Sequence, residues 1–376
     1  MPLDLDERYG LASGSSKKET PAPELPYQPA DPKSYRPKIA LIGCGGITIQ
    51  HLRAYKAAGY QVAALCDIDE RKAREQAQRF YPQAAVCSDF RAVLARDDIE
   101  VLDIATHPEP RAGIFAEAIE AGKHILSQKP FVTDLDFGMR LVERAEHKGI
   151  RLAVNQNGRW APHWSYIRQA IERGLLGEVI SARLAVNWDL SYIAGSAFED
   201  IGHLVLFDFA IHWFDIICCF MGPKKPLRVS ASAARAPGQE MRPPLLAQAI
   251  IAYPEGQASL AFDASTRFGE QDCTFVSGTL GTAFSTGPDL NQQAVTLASA
   301  GGLARPVLAG AWFPDGFHGT MGELLRAIEE KREPYSSARN NLKSLELCFA
   351  AISSAERGIP VIPGTVRRLP GSMAAE

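Results

Sequence analysis

From Lys38 onward, short apolar runs alternate with amphipathic stretches in a regular order. "KIALIG" reads as a strand and "IQHLRAYKAAG" has helical spacing; "QVAALCD" and "DERKAREQAQRF" repeat the pair. The series continues with a strand at "AAVC", a helix near "FRAVLARD", the strand "VLDIAT" and the helix "RAGIFAEAIEAG". It closes with the strand "HILS", the helix "DFGMRLVERAEHKG" and the strand "RLAVN". Strands buried on both faces read as continuous apolar runs, so residues 37–155 predict a parallel sheet covered by helices, a doubly wound α/β domain. Beyond Asn155 the texture changes. "PHWSYIRQAIERG" is a helix with Pro162 in its first turn, "EVISARLAVNW" a strand, and "LVLFDFAIHWFDIICCF" the middle of a long helix. The runs "LRVSASAA", "AQAIIAYP", "QASLAFDAS", "CTFVSG" and "QAVTLAS" then follow without crossover helices. They predict an open, mostly antiparallel sheet in an α/β domain spanning residues 156–376, with late helices near "TMGELLRAIEEKR" and "ARNNLKSLELCFAAISSAERG". Residues 1–36 are rich in proline and polar residues, and predict an arm that is disordered or extended, with docking on a neighbouring subunit as the alternative.

Composition narrows the functional classes. The net charge is −3 with no long basic run, which argues against a nucleic-acid partner. No apolar run approaches the ~20 residues of a membrane span, and the N-terminus lacks the basic-then-apolar order of a secretory signal. The seven cysteines show no C-x-x-C spacing for zinc or redox work, so no metal is expected and reduced thiols in a cytoplasmic protein are.

"GCGGIT", Gly43 to Thr48, sits between the first strand and the first helix. Gly43 permits a tight turn, and Gly45, followed by Gly46 and Ile47, lets backbone approach a pyrophosphate lying on the helix N-terminus. Thr48 occupies the third glycine position of this Rossmann-type fingerprint. Asp67 ends the second strand, where an acid accepts both ribose hydroxyls of NAD and repels the 2′-phosphate of NADP. At about 5 Å and an effective dielectric near 20, that repulsion is ~3 kcal/mol per unit of phosphate charge. NAD is the expected cofactor.

"HILSQKPFVT" places Lys129 directly against Pro130 at the end of the fifth strand, and proline steers the residue before it away from helical angles. One cation is thus presented at the sheet's C-terminal edge. The second half carries "DFAIHWFD", with Asp208 and His212 at i and i+4. Together with "NGRWAPHW" and the late "RNNLKSLELCFAAISSAERGIPV", these features resemble the Gfo/Idh/MocA family from about Lys38 to the C-terminus. In that family a Glu-Lys-Pro triplet brings its lysine to nicotinamide and substrate, and the Asp and His of the helix complete the site. The resemblance therefore implies catalytic roles for Lys129, Asp208 and His212. Gln128 departs from the family's glutamate, and an uncharged neighbour no longer favours the ammonium form of the lysine. The chemistry is consistent: oxidising a carbinol requires removal of the hydroxyl proton as hydride leaves. His212 is the expected proton acceptor, Asp208 orients its ring, and Lys129 orients the hydroxyl and stabilises developing negative charge.

The second domain is expected to close the cleft with Arg159, His163, Trp188, Tyr192 and His203, and "AGSAFEDIGH" is the expected substrate loop. If Arg159 or His203 faces the cleft, an anionic sugar fits. Three functions compete: an NAD-dependent dehydrogenase or reductase of a sugar or polyol; a redox-neutral, NAD-dependent glycosidase of the same fold; and a non-catalytic NAD-binding regulator. A small carbohydrate or glycoside is the expected partner. The resemblance also implies a homodimer or homotetramer.

Overall fold

A computed structural model describes residues 18–369. Six parallel strands form the first sheet: β1 (Lys38–Ile42), β2 (Gln61–Cys66), β3 (Ala85–Cys87), β4 (Ile99–Ile104), β5 (His124–Ser127) and β6 (Leu152–Val154). Their order is β3-β2-β1-β4-β5-β6. The strand order reverses between β1 and β4, the point at which sheets of this kind bind ligands beyond the strands' C-terminal ends. Helices α1 (Thr48–Ala57), α2 (Glu70–Phe80), α3 (Phe90–Leu94), α4 (Pro108–Glu120) and α5 (Leu135–His147) link them. Aspartates start three of these helices: Asp69, Asp89 and Asp134 accept the N–H of Arg71, Arg91 and Asp136. Each such cap contributes about 1 kcal/mol. Residues of the central strands, such as Ile39 to Leu41 and Val101 and Leu102, are wholly buried, as continuous apolar runs require.

The second sheet has eight strands: β7 (Val179–Asn187), β8 (Arg228–Ala234), β9 (Leu246–Ala252), β10 (Gln257–Asp263), β11 (Gln271–Gly278), β12 (Gly281–Gly287), β13 (Ala294–Ser299) and β14 (Gly302–Ala304). Their order is β14-β13-β12-β11-β7-β10-β9-β8, antiparallel except for the β7–β10 pair. One face is buried: Ala247, Ala249 and Ile251 of β9 point inward while Gln248 and Ile250 between them are exposed. Helices α6 (Pro162–Glu172), α7 (Ile211–Met221), α8 (Trp312–Glu329) and α9 (Ala338–Arg357) complete the fold. α8 packs on α1 and α9 on α5, so two helices that follow the second sheet brace the first domain.

One expectation is corrected. The long helix around Asp208 is interrupted: Val205–Phe209 form a π turn before α7 begins. Of the two forms expected for the N-terminal arm, residues 18–36 take the extended one and lie along their own chain. Thr20 donates to Leu303 O at 2.8 Å, Tyr166 Oη to Pro23 O at 2.8 Å, and the Glu329 carboxylate receives the N–H groups of Lys33, Ser34 and Tyr35. This extended strap is bonded to its own chain at these points. Residues 1–17 lie outside the described part. All seven cysteines are free, and among the described residues no helix is long and apolar enough to cross a membrane.

Candidate active site at the edge of the parallel sheet

The glycine turn follows β1. Gly43 has φ +93°, and a Cβ there would lie 2.9 Å from Ala105 C and Thr106 N, so only glycine fits. At Gly45 and Gly46 a Cβ would meet nothing within 4 Å, which leaves the outer face of the turn open. Ile47 is partly exposed at the mouth of α1. Thr48 is fully buried; its hydroxyl and its N–H both go to Gly45 O, at 2.5 and 3.2 Å. Thr48 therefore shapes the turn, with both of these donors directed to Gly45 O. Asp67, just past β2, accepts Cys44 N at 2.7 Å and Asp69 N at 2.9 Å. Each carboxylate oxygen keeps further acceptor capacity. An open glycine turn with an acid anchored directly beside it fits a dinucleotide, its pyrophosphate on the turn and its ribose on Asp67.

Lys129 leaves the end of β5 through a cis Lys129–Pro130 bond. Its Nζ donates to Asp208 O at 2.8 Å and to Asp208 Oδ2 at 3.0 Å, and stands 5.9 Å from the centroid of the Phe209 ring. Arg111 of α4, which the sequence reading overlooked, clamps the backbone on both sides of this lysine. Its guanidinium donates to Pro130 O at 2.8 Å, to Ser127 Oγ at 3.3 Å, and to the carbonyls of Gln128 and Thr106. Burial pushes the Arg111 pKa down to about 9, so the group remains charged at neutral pH. The single cation of α4, placed in the helix's first turn where acidic residues are the favoured charges, was the available signal.

Asp208 and His212 do not form the expected pair. Ala210 N bonds Val205 O, an i→i+5 contact of the π turn, which shifts Asp208 out of ordinary helical register with His212. The carboxylate goes to Lys129 instead. The His212 Nδ1 is buried without a hydrogen-bond partner, and its ring packs edge-on against Trp312, 5.4 Å between centroids. Burial, and then the nearby Lys129 charge, hold the His212 pKa well below the ordinary histidine range, so the imidazole is neutral.

The candidate substrate residues separate. Tyr192 is largely exposed, and partial desolvation, then the Asp208 charge, raise its pKa. Trp188 packs among Phe209, Trp213 and Phe262 with its indole N–H buried, so it supports the wall from behind. Arg159 is removed from the cleft: its Nε and Nη2 donate to the Asp215 carboxylate at 2.6 and 2.7 Å in a buried fork. His163 is enclosed against Trp164, and burial pushes it down to about 3, so it is an uncharged core residue. His203 Nε2 is held 3.0 Å from Glu356 Oε1. Neither Arg159 nor His203 offers a free cation to an acidic substrate.

Residues 37–156 match the oxidoreductase family with an NAD-binding Rossmann fold, and residues 164–284 match the GFO/IDH/MocA C-terminal domain. Among characterised proteins the chain is similar to a D-apiose dehydrogenase of Paraburkholderia graminis, 27% identical over 85% of this chain and 88% of that one. It is also similar to an inositol 2-dehydrogenase of Rhizobium meliloti, 25% identical over 84% of this chain and 96% of the other. The fold superposes on that of an Agrobacterium radiobacter oxidoreductase solved with NAD+, L-tartaric acid and magnesium, with TM-score 0.78, 22% identity, and coverage of 88% of this chain and 99% of that one. The crevice, its glycine turn and the domain that closes over it thus have a shared origin: this chain belongs to the Gfo/Idh/MocA family of NAD-binding oxidoreductases.

Proposed function

We propose that the protein transfers hydride between NAD and a carbinol carbon of an uncharged sugar or polyol. The observation that carries this reading is the Lys129 ammonium, fixed by Asp208 beside a buried, neutral His212 at the C-terminal edge of the parallel sheet. NAD, when bound, supplies the hydride acceptor. Lys129 Nζ has one more donor to offer, and it orients the substrate hydroxyl and stabilises the negative charge that develops on its oxygen. With Nδ1 enclosed, Nε2 of His212 is the ring nitrogen left to take the hydroxyl proton, and its low proton affinity in the resting site keeps it available as a base. Asp208 serves the lysine rather than the ring: it balances the ammonium charge and fixes its direction.

The charge balance supports a neutral substrate. Lys129 is offset by Asp208, and the two side chains that could have read an acid group, Arg159 and His203, are engaged by Asp215 and Glu356. The two dehydrogenases named above, acting by name on apiose and inositol, favour carbohydrate oxidation over glycoside cleavage. We further propose a homo-oligomer, supported by the solvent face of the second sheet, where Ile250 is 58% exposed; light scattering of the purified chain tests it. The functional test is a panel of sugars, polyols and glycosides with NAD, followed for both NADH and aglycone. NADH formation is expected, lowered about 10²- to 10⁴-fold in His212→Ala and reduced likewise in Lys129→Ala. Aglycone release without NADH would assign a glycosidase, and unimpaired hydride transfer in both variants would refute the site.

A further inference from the structure

Behind Lys129 lies an enclosed polar network that the reaction above does not use. Gln128 Oε1 accepts the Lys129 N–H at 2.8 Å. A backbone N–H can only donate, so this contact fixes the amide, whose Nε2 meets His51 Nε2 at 3.4 Å. The amide nitrogen also only donates, which makes His51 Nε2 the bare nitrogen of the ring. Asn155 Nδ2 approaches the same nitrogen at 3.3 Å, while its Oδ1 receives the Thr320 hydroxyl at 2.8 Å. The ring proton therefore sits on His51 Nδ1, 2.7 Å from Asp103 Oδ2, which also accepts the Tyr55 hydroxyl at 2.7 Å. His51, Asp103 and Asn155 have no exposed surface.

Few charges face this histidine. Asp103 comes from β4 and Tyr55 from its own helix, and Cys44 of the glycine turn and Arg111 of α4 lie within electrostatic reach of Asp103. Helix α8 contributes Phe317, 4.6 Å away between ring centroids, and Thr320, neither of them charged. Both ring nitrogens of His51 are thus engaged, Nε2 by the two amide groups and Nδ1 by Asp103 Oδ2, while Asp103 Oδ1 is buried without a partner.

We propose that Gln128 is a positioning residue that holds Lys129 in place without proton uptake, so that the lysine's placement does not depend on pH. The proposal rests on the reading of Lys129 as the working cation. A glutamate here would have acceptors only. One oxygen would still cap Lys129 N–H, but the other would set a lone pair against the bare His51 Nε2. Contact returns only when a proton enters and His51 becomes an imidazolium between two carboxylates.

The test is the ratio of kcat/KM for Gln128→Glu over that of the parent chain, measured from about pH 6 to about pH 9, so that shared ionisations cancel. The variant's ordered site holds one extra proton, gained at low pH and lost as pH rises. The ratio is therefore expected to fall by about tenfold or more across that range. Gln128→Met removes both contacts and adds no ionisation; it is expected to lower kcat about tenfold at every pH, with NAD affinity little changed. In ¹⁵N-histidine NMR spectra the parent His51 is expected as a neutral ring bare at Nε2, and the Gln128→Glu ring as an imidazolium at low pH. A flat ratio, a Gln128→Met variant with full kcat, or an imidazolium His51 in the parent overturns the proposal. If Lys129→Ala is inactive while the ratio is flat, only the role of Gln128 fails; if Lys129→Ala retains full turnover, both readings fail.

Discussion

Asp272 offers a quantitative test of the second domain. It lies on β11 between Val186 of β7 and Gly287 of β12, 1% exposed, and neither carboxylate oxygen has a hydrogen-bond partner. Burial, and then repulsion from Asp289, push its pKa up to about 8. In the unfolded chain it returns to about 3.9. Between those values the folded state holds a proton that the unfolded state has released, so stability falls as pH rises, by about 1.4 kcal/mol per pH unit. Asp272→Asn abolishes this ionisation, and the fixed cost of a buried amide is the same at every pH. The stability difference between variant and parent should therefore grow in the variant's favour by about 4 kcal/mol from about pH 5 to about pH 8. Urea unfolding followed by tryptophan fluorescence measures it, because Trp160, Trp164, Trp188, Trp213 and Trp312 all lie beyond the six-stranded sheet. Trp164 is a close reporter, donating to Thr274 Oγ1 at 2.9 Å two residues along the same strand. Parallel pH curves for the two proteins would refute the buried-acid argument.

Further outcomes follow from the site. Asp67→Ala should shift cofactor preference toward NADP, seen as a change in the ratio of kcat/KM for the two cofactors; unchanged kinetics with both would remove Asp67 from the ribose site. Since burial holds His212 neutral, kcat/KM should show no loss as pH falls through the ordinary histidine value of about 6.5, and protonation of the base should appear only at lower pH. Arg111→Met leaves the carbonyls of Gln128 and Pro130 without their clamp, and should lower kcat about 10- to 100-fold, with Arg111→Lys restoring part of it in steady-state assays.

The first domain was legible because parallel strands covered on both faces show as apolar continuity, and Gly43 and Asp67 stand at fixed places in that order. In the second sheet β12 was missed: its inward positions are Ala283 and the fully buried Ser285, so the alternation that marks a half-buried strand carries little contrast. β14 spans only Gly302–Ala304 and is set by pairing with β13. The strap at 18–36 has the composition of a disordered arm, and what orders it is Glu329, far along the chain, which no local pattern can announce. Arg159 misled for the same reason, since its partner Asp215 lies on another helix.

The site itself shows where spacing stops being informative. "LVLFDFAIHWFDIICCF" is apolar nearly all round, so it has no amphipathic stripe from which a break in helical register could be read. The i,i+4 rule singled out Asp208 and His212 and gave them the wrong relationship. The π turn moves Asp208 off the face of His212 and onto Lys129, whose amine it holds across 79 positions of sequence. The consequence is chemical. A carboxylate on the imidazole would raise its proton affinity, whereas a carboxylate on the lysine leaves His212 beside a cation, where burial and that charge both keep it unprotonated. One extra residue in a single helical turn thus decides which group of the site carries the spare proton before the substrate arrives.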